Sequence, residues 1–167
     1  MILRNKGVTA YAIDLVISDK FSNLSYYKIS DATRTDFPDG SVRAISLQCA
    51  FEMFIKDSDT KLIQECARIL KPGGTAVIVP LYLHTHYCGY SSPDFYGKGY
   101  ADDTAKQYIC KNISHVPFSR KYDARALKER IISNLPATLN YHLLELQNAY
   151  QISPDIYCHY ILVLNKF

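Results

Sequence analysis

Three groups of residues in this chain have types and spacings suited to chemistry. The first is a pair of acids at strand ends. Val8-Thr9-Ala10-Tyr11-Ala12-Ile13-Asp14 reads as a strand closing on a carboxylate, and Asp31-Ala32 follows a second short apolar run, Tyr26-Tyr27-Lys28-Ile29. A strand-end carboxylate can accept hydrogen bonds from a ribose diol, and in dinucleotide-type sites it lies about 20 residues after a glycine-rich turn. Counting back from Asp14 runs past residue 1, so the pattern begins in its middle. The second group, Gln48 to Glu52, follows a third apolar run, Val42–Leu47, at the end of the strand where open α/β sheets place ligands. The third is His84, His86 and Cys88, whose alternation lets all three point the same way from an extended segment. That is a soft-metal arrangement by residue type. No fourth ligand accompanies it, so no metal is expected, and the histidines read as residues bordering an acceptor pocket together with Tyr90.

The elements needed to hold these groups can be traced along the chain. Residues 1–6 look like a helix tail closed by Gly7, and residues 8–14 and 26–29 like strands. Phe37-Pro38-Asp39-Gly40-Ser41 is a turn, because proline and the Asp-Gly pair favour its backbone angles. Val42–Leu47 is apolar at nearly every position, which predicts a central parallel strand covered on both faces. Asp57 or Ser58 offers an N-cap for a helix whose core side is Leu62, Ile63, Cys66, Ile69 and Leu70, and Lys71-Pro72-Gly73-Gly74 stops it. Thr75–Leu83 follows as another buried strand. Residues 84–122 are rich in Gly, Ser, Pro, Asp and Tyr without a sustained period, which predicts a loop or lid. Asp123 caps a further helix running to Leu135, and strands near 139–149 and 156–165 form an antiparallel pair.

Composition narrows the class. A chain of 167 residues with 48% hydrophobic and 21% charged side chains suits one globular domain, taken as residues 1–167. The net charge of +3 is mild, which argues against nucleic acid as a partner. Its main basic cluster, Arg120, Lys121, Arg125, Lys128 and Arg130, fits the solvated face of a helix. No apolar stretch approaches the ~18–20 residues of a membrane span. Five dispersed cysteines read as reduced thiols of a cytoplasmic protein.

Asp31-Ala32, Phe37-Pro38-Asp39-Gly40-Ser41-Val42-Arg43-Ala44-Ile45-Ser46-Leu47, Phe51-Glu52 and Glu65-Cys66-Ala67-Arg68-Ile69-Leu70-Lys71-Pro72-Gly73-Gly74 together resemble the core of class I S-adenosylmethionine-dependent methyltransferases. The resemblance spans about residues 3–83. It implies a Rossmann-like, doubly wound, mostly parallel α/β sheet with helices on both faces and a C-terminal antiparallel hairpin. It further implies S-adenosylmethionine as cofactor, held by Asp14, Leu15, Asp31, Ala32 and Gln48, and a small-molecule methyl acceptor near Glu52, His84, His86 and Tyr90. Met53 stands where many relatives carry histidine, which loosens any inference about the acceptor. Because the first family strand and its glycine loop would precede residue 1, the resemblance implies a truncated domain. Its open strand edges leave room for self-association or for a non-catalytic role in protein contacts.

Overall fold

The computed structural model describes residues 2–167. A one-turn helix, α1 (Ile2–Asn5), ends at Gly7, whose φ of +76° reverses the chain. Two three-residue strands follow, β1 (Ala12–Asp14) and β2 (Tyr27–Ile29), paired in parallel. Both are shorter than the apolar runs suggested. Strand β3 (Val42–Gln48) leads through a 3-10 turn at Phe51–Met53 into helix α2 (Ser58–Ile69), which hands directly to β4 (Leu70–Val79). The Lys71–Gly74 stretch lies inside β4 as an irregularity: pairing with β3 jumps from Val42↔Leu70 to Ala44↔Thr75, so these residues loop out of register.

Residues 84–122, expected to be a loop or lid, instead contain a small sheet. Strands β5 (Cys88–Ser91), β6 (Lys106–Ile109) and β7 (Ser119–Lys121) assemble in the order β6-β5-β7. Helix α3 (Ala124–Arg130) follows, with the Asp123 carboxylate accepting the Ala126 N–H at 2.7 Å as its cap. The remaining elements are β8 (Leu139–Glu145), the one-turn α4 (Ala149–Ile152) and β9 (Tyr160–Lys166). The expected antiparallel pair is present, and β9 sits inside β8, giving a four-stranded mixed sheet in the order β3-β4-β9-β8.

Side-chain alternation shows where the core lies. Leu47, Ala76, Ile78, Leu162 and Leu164 project from one face and pack with Leu62, Ile63 and Cys66 of α2 and with Leu127 of α3. Both principal helices therefore lie on the same face. The opposite face, carrying Ser46, Val77 and Val163, is only partly covered. This corrects the expectation for β3: it pairs with β4 along one edge, has no strand on its other edge among the described residues, and exposes Ala44, Ser46 and Gln48. The β1–β2 pair is joined to the body through α2. Thr35 donates its N–H and hydroxyl to Glu65 Oε1 at 2.7 and 2.6 Å, and Arg68 reaches Asp39 at 2.6 Å and the Thr35 carbonyl at 3.0 Å.

A buried ion cluster locks the small sheet to the helices. Arg120 is fully buried and contacts Asp59 and Asp102, each at 2.7 Å, while Arg130 holds Asp59 at 2.8 Å. Tyr122 donates to Asp59 at 2.7 Å, Tyr87 donates to Asp102, and Arg120 donates to the Lys56 carbonyl at 2.7 Å. Two guanidinium groups thus balance two carboxylates. Arg120 was expected on a solvated helix face. It lies on β7 instead, in a buried row with Phe118 and Tyr122, and only Arg125 and Lys128 occupy an exposed helix face.

Candidate functional site

Asp14 ends β1, and its carbonyl accepts the N–H of Ser30, just past β2. The parallel pairing therefore places Asp14, Leu15, Asp31 and Ala32 at one end of the two strands. The carboxylates are engaged locally. Asp14 Oδ1 accepts the Val16 N–H at 3.4 Å, and Asp31 Oδ1 accepts both the N–H and the hydroxyl of Thr33 at 2.8 Å, an Asx turn. Leu15 is exposed, and Ala32 packs against the core. Gln48 closes β3 on a separate sheet, and the following Cys49, at φ +50°, turns the backbone sharply. A recess of about 370 Å³ between Arg4, Val8 and Tyr11 lies before β1, away from these carboxylates.

A second cluster forms beyond β3. The 3-10 turn at Phe51–Met53 seats Phe51 on Tyr122, with ring centroids 5.9 Å apart. This buries Glu52, whose Oε2 has no hydrogen-bond partner. Burial pushes the Glu52 carboxyl above its ordinary pKa, against smaller opposing contributions from its own backbone and from Lys121. Lys121 is itself held below its usual value by burial, with Glu52 opposing. Its Nζ rests 3.2 Å from the centre of the Tyr82 ring and 6.0 Å from that of Tyr90. The Tyr82 phenol is pushed up to about 12 by burial and then by the neighbouring Glu52, Cys49, Tyr157 and Cys158. Cys49 Sγ and Tyr157 Oη are 3.2 Å apart. A carboxylate lacking a partner, an ammonium, two phenols and two thiols thus gather from four separated segments.

Of the sequence-predicted acceptor residues, Glu52 lies in this cluster. Tyr90 on β5 faces Lys121 and stacks on Tyr108, with centroids 5.3 Å apart. His84 and His86 lie edge to face on the segment between β4 and β5, their centroids 4.4 Å apart. Sequence reasoning missed Lys121, Tyr82 and Tyr157. The available signal for Lys121 was the alternation of Phe118, Arg120 and Tyr122, which marks a strand with Lys121 on its opposite face.

Residues 3–78 match the family model described as "Methyltransferase domain". No curated protein matches the sequence. Among solved structures, a Burkholderia thailandensis 1,6-didemethyltoxoflavin-N1-methyltransferase, with 1,6-didemethyltoxoflavin and S-adenosylhomocysteine bound, aligns with a TM-score of 0.62 at 12% identity. The alignment covers 99% of this chain and 64% of that one. A geranyl diphosphate C-methyltransferase from Streptomyces coelicolor, in complex with Mg2+, geranyl diphosphate and S-adenosyl-L-homocysteine, aligns with a TM-score of 0.54 at 16% identity, over 100% of this chain and 66% of that one. A protein from Pyrococcus horikoshii aligns with a TM-score of 0.62 at 11% identity, over 99% and 75% of the two chains. The chain thus spans a little under two thirds of the first two. Residues 3–78 thus resemble the methyltransferase-domain family, and the chain as a whole shares the Rossmann-like α/β fold of the solved methyltransferases it aligns with. No helix among the described residues is long and apolar enough to cross a membrane.

Proposed function

We propose that this chain binds S-adenosylmethionine and transfers its methyl group to a small polar acceptor. The observation that carries the reading is the buried, partnerless Glu52 Oε2 beside Lys121, just beyond the strand end that bears Gln48. In this reading Asp14 takes the ribose hydroxyls, with Leu15 beside it. Asp31 and the Ala32 backbone flank the adenine, and Gln48 adjoins the methionine portion. Glu52, His84, His86 and Tyr90 border the acceptor, joined by Lys121 and Tyr82.

S-adenosylmethionine supplies an already activated methyl group, so the protein's part is to align the acceptor and to exclude water. Attack by an acceptor heteroatom on the methyl carbon forms the new bond as the carbon–sulfur bond breaks, releasing S-adenosylhomocysteine. The acceptor's proton passes to Glu52, which its buried setting makes a stronger base than a solvated carboxylate. Lys121 orients the acceptor's polar end. The reading places the protein in the cytoplasm, with neither nucleic acid nor membrane as partner.

The open edge of β3 supports a second reading, in which the domain acts through protein contacts, including self-association. Calorimetric titration with S-adenosylmethionine and S-adenosylhomocysteine separates the two. Saturable binding, weakened about tenfold or more in Asp14→Ala, supports the enzyme. No binding up to millimolar ligand supports the interaction module.

A further inference from the structure

The segment carrying His84, His86 and Cys88 does not run straight. A bend at Thr85 and His86 folds the second histidine ring edge-on against the first, and β5 begins at Cys88. One ring nitrogen from each histidine and Cys88 Sγ all lie within 4.8 Å of one another. Both Nδ1 atoms also converge on one hydroxyl, Thr85 Oγ1, at 3.3 and 3.2 Å.

Two further features prepare the set. His86 Nε2 is 2.7 Å from Tyr108 Oη, so a phenol on β6 fixes that imidazole, as outer partners do for metal-bound histidines. Cys88 is fully buried and pairs directly with Lys106 on one neighbouring strand and Lys121 on the other.

We propose that His84, His86 and Cys88 form a three-ligand site for Zn2+ or a comparable borderline divalent ion, with the fourth position open to water or to a ligand heteroatom. Two imidazoles and one thiolate suit zinc by softness and by coordination number. With metal–nitrogen bonds of about 2.0–2.1 Å and a metal–sulfur bond of about 2.3 Å, closing the set asks for side-chain movements of about 1 Å. The thiolate offsets part of the ionic charge. The site stands independently of methyl transfer.

Titration of the reduced protein with Zn2+ alone, and separately with Co2+ as a spectroscopic probe, tests it. The expected result is one tight equivalent of metal per chain, with a thiolate-to-cobalt charge-transfer band and the intense visible bands of a tetrahedral ion. Cys88→Ser should abolish the charge-transfer band, and Cys110→Ser should leave it intact. Because Cys88 is buried, His84→Gln and His86→Gln provide a test on less enclosed positions, and each should weaken Zn2+ binding about tenfold or more. A missing charge-transfer band in the native protein, or Zn2+ affinity unchanged in both histidine variants, overturns the site.

Discussion

At the residue scale, Glu52 makes a demand of its own. Its carboxyl is buried with one oxygen partnerless, so the folded state favours the protonated form and its pKa stands above the ordinary 4.5. The folded protein binds this proton more tightly than the unfolded chain does. Stability therefore falls as pH rises from the unfolded value through the folded one, and the loss persists at neutral pH. Glu52→Gln keeps the shape and removes the ionisation. Denaturant melts across pH 4 to 8 should show the variant gaining on the native protein as pH rises, and parallel curves would mean that Glu52 is solvated. If Glu52 also accepts the acceptor's proton, the same variant should lose methyl-transfer turnover while retaining cofactor affinity. The sequence placed Glu52 beside the site but gave no sign of its missing partner, because that depends on Phe51 being anchored against Tyr122, 71 positions later. Asp14 and Asp31 were legible as strand-end acids, whereas their local bonds to Val16 and Thr33 appear only in the structure.

At the scale of elements, legibility follows sequence separation. Helix α2 was readable because its apolar positions recur at helical spacing and Asp57 precedes them, β3 and β4 were readable as dense apolar runs, and β8 and β9 as a pair joined by a short connection. The small sheet was not. Its strands are three or four residues long, mostly polar, and held by partners up to 33 positions away, as in the Cys88↔Lys121 pair. What fixes it is the Arg120 cluster together with Gly89. Arg120→Met leaves the buried Asp102 without its counter-charge and Asp59 with Arg130 alone, and the expected cost is about 3–5 kcal/mol, read as a lowered denaturation midpoint. A change under ~1 kcal/mol would show that water enters the cluster. Gly89 is required by close approach: a Cβ there would sit 1.7 Å from Phe118 Cε2, and Phe118 is fully buried. Gly89→Ala should therefore cost about 1–3 kcal/mol, and Gly89→Ala combined with Phe118→Leu should recover part of that loss.

At the scale of the whole molecule, stability is unevenly distributed, and the proposed cofactor residues other than Gln48 lie at the weak end. The four-stranded sheet shares a core with α2 and α3, whereas β1 and β2 pair only with each other over three residues apiece. A two-stranded ribbon of that size is not stable alone. What restrains it is largely one network on α2, in which Glu65 binds Thr35 and Arg68 bridges Glu65, Asp39 and the Thr35 carbonyl. Burial pulls the Glu65 carboxyl upward, but the hydrogen bonds from Arg68 and Thr35 outweigh it and hold it below its ordinary value. Amide exchange at residues 12–14 and 27–31 should accordingly proceed by local opening, faster than in β4 and β9, which should open only with global unfolding. Arg68→Ala should accelerate exchange in the ribbon and leave β9 protection nearly unchanged. Uniform acceleration would mean that ribbon and core unfold together. A ligand that joins Asp14 and Asp31 to Gln48 must order the ribbon against the main sheet as it binds, so part of its binding free energy goes into that ordering. S-adenosylhomocysteine should therefore slow exchange at residues 12–14 and 27–31 more than anywhere in β4, and Arg68→Ala should weaken its affinity without touching any residue of the site.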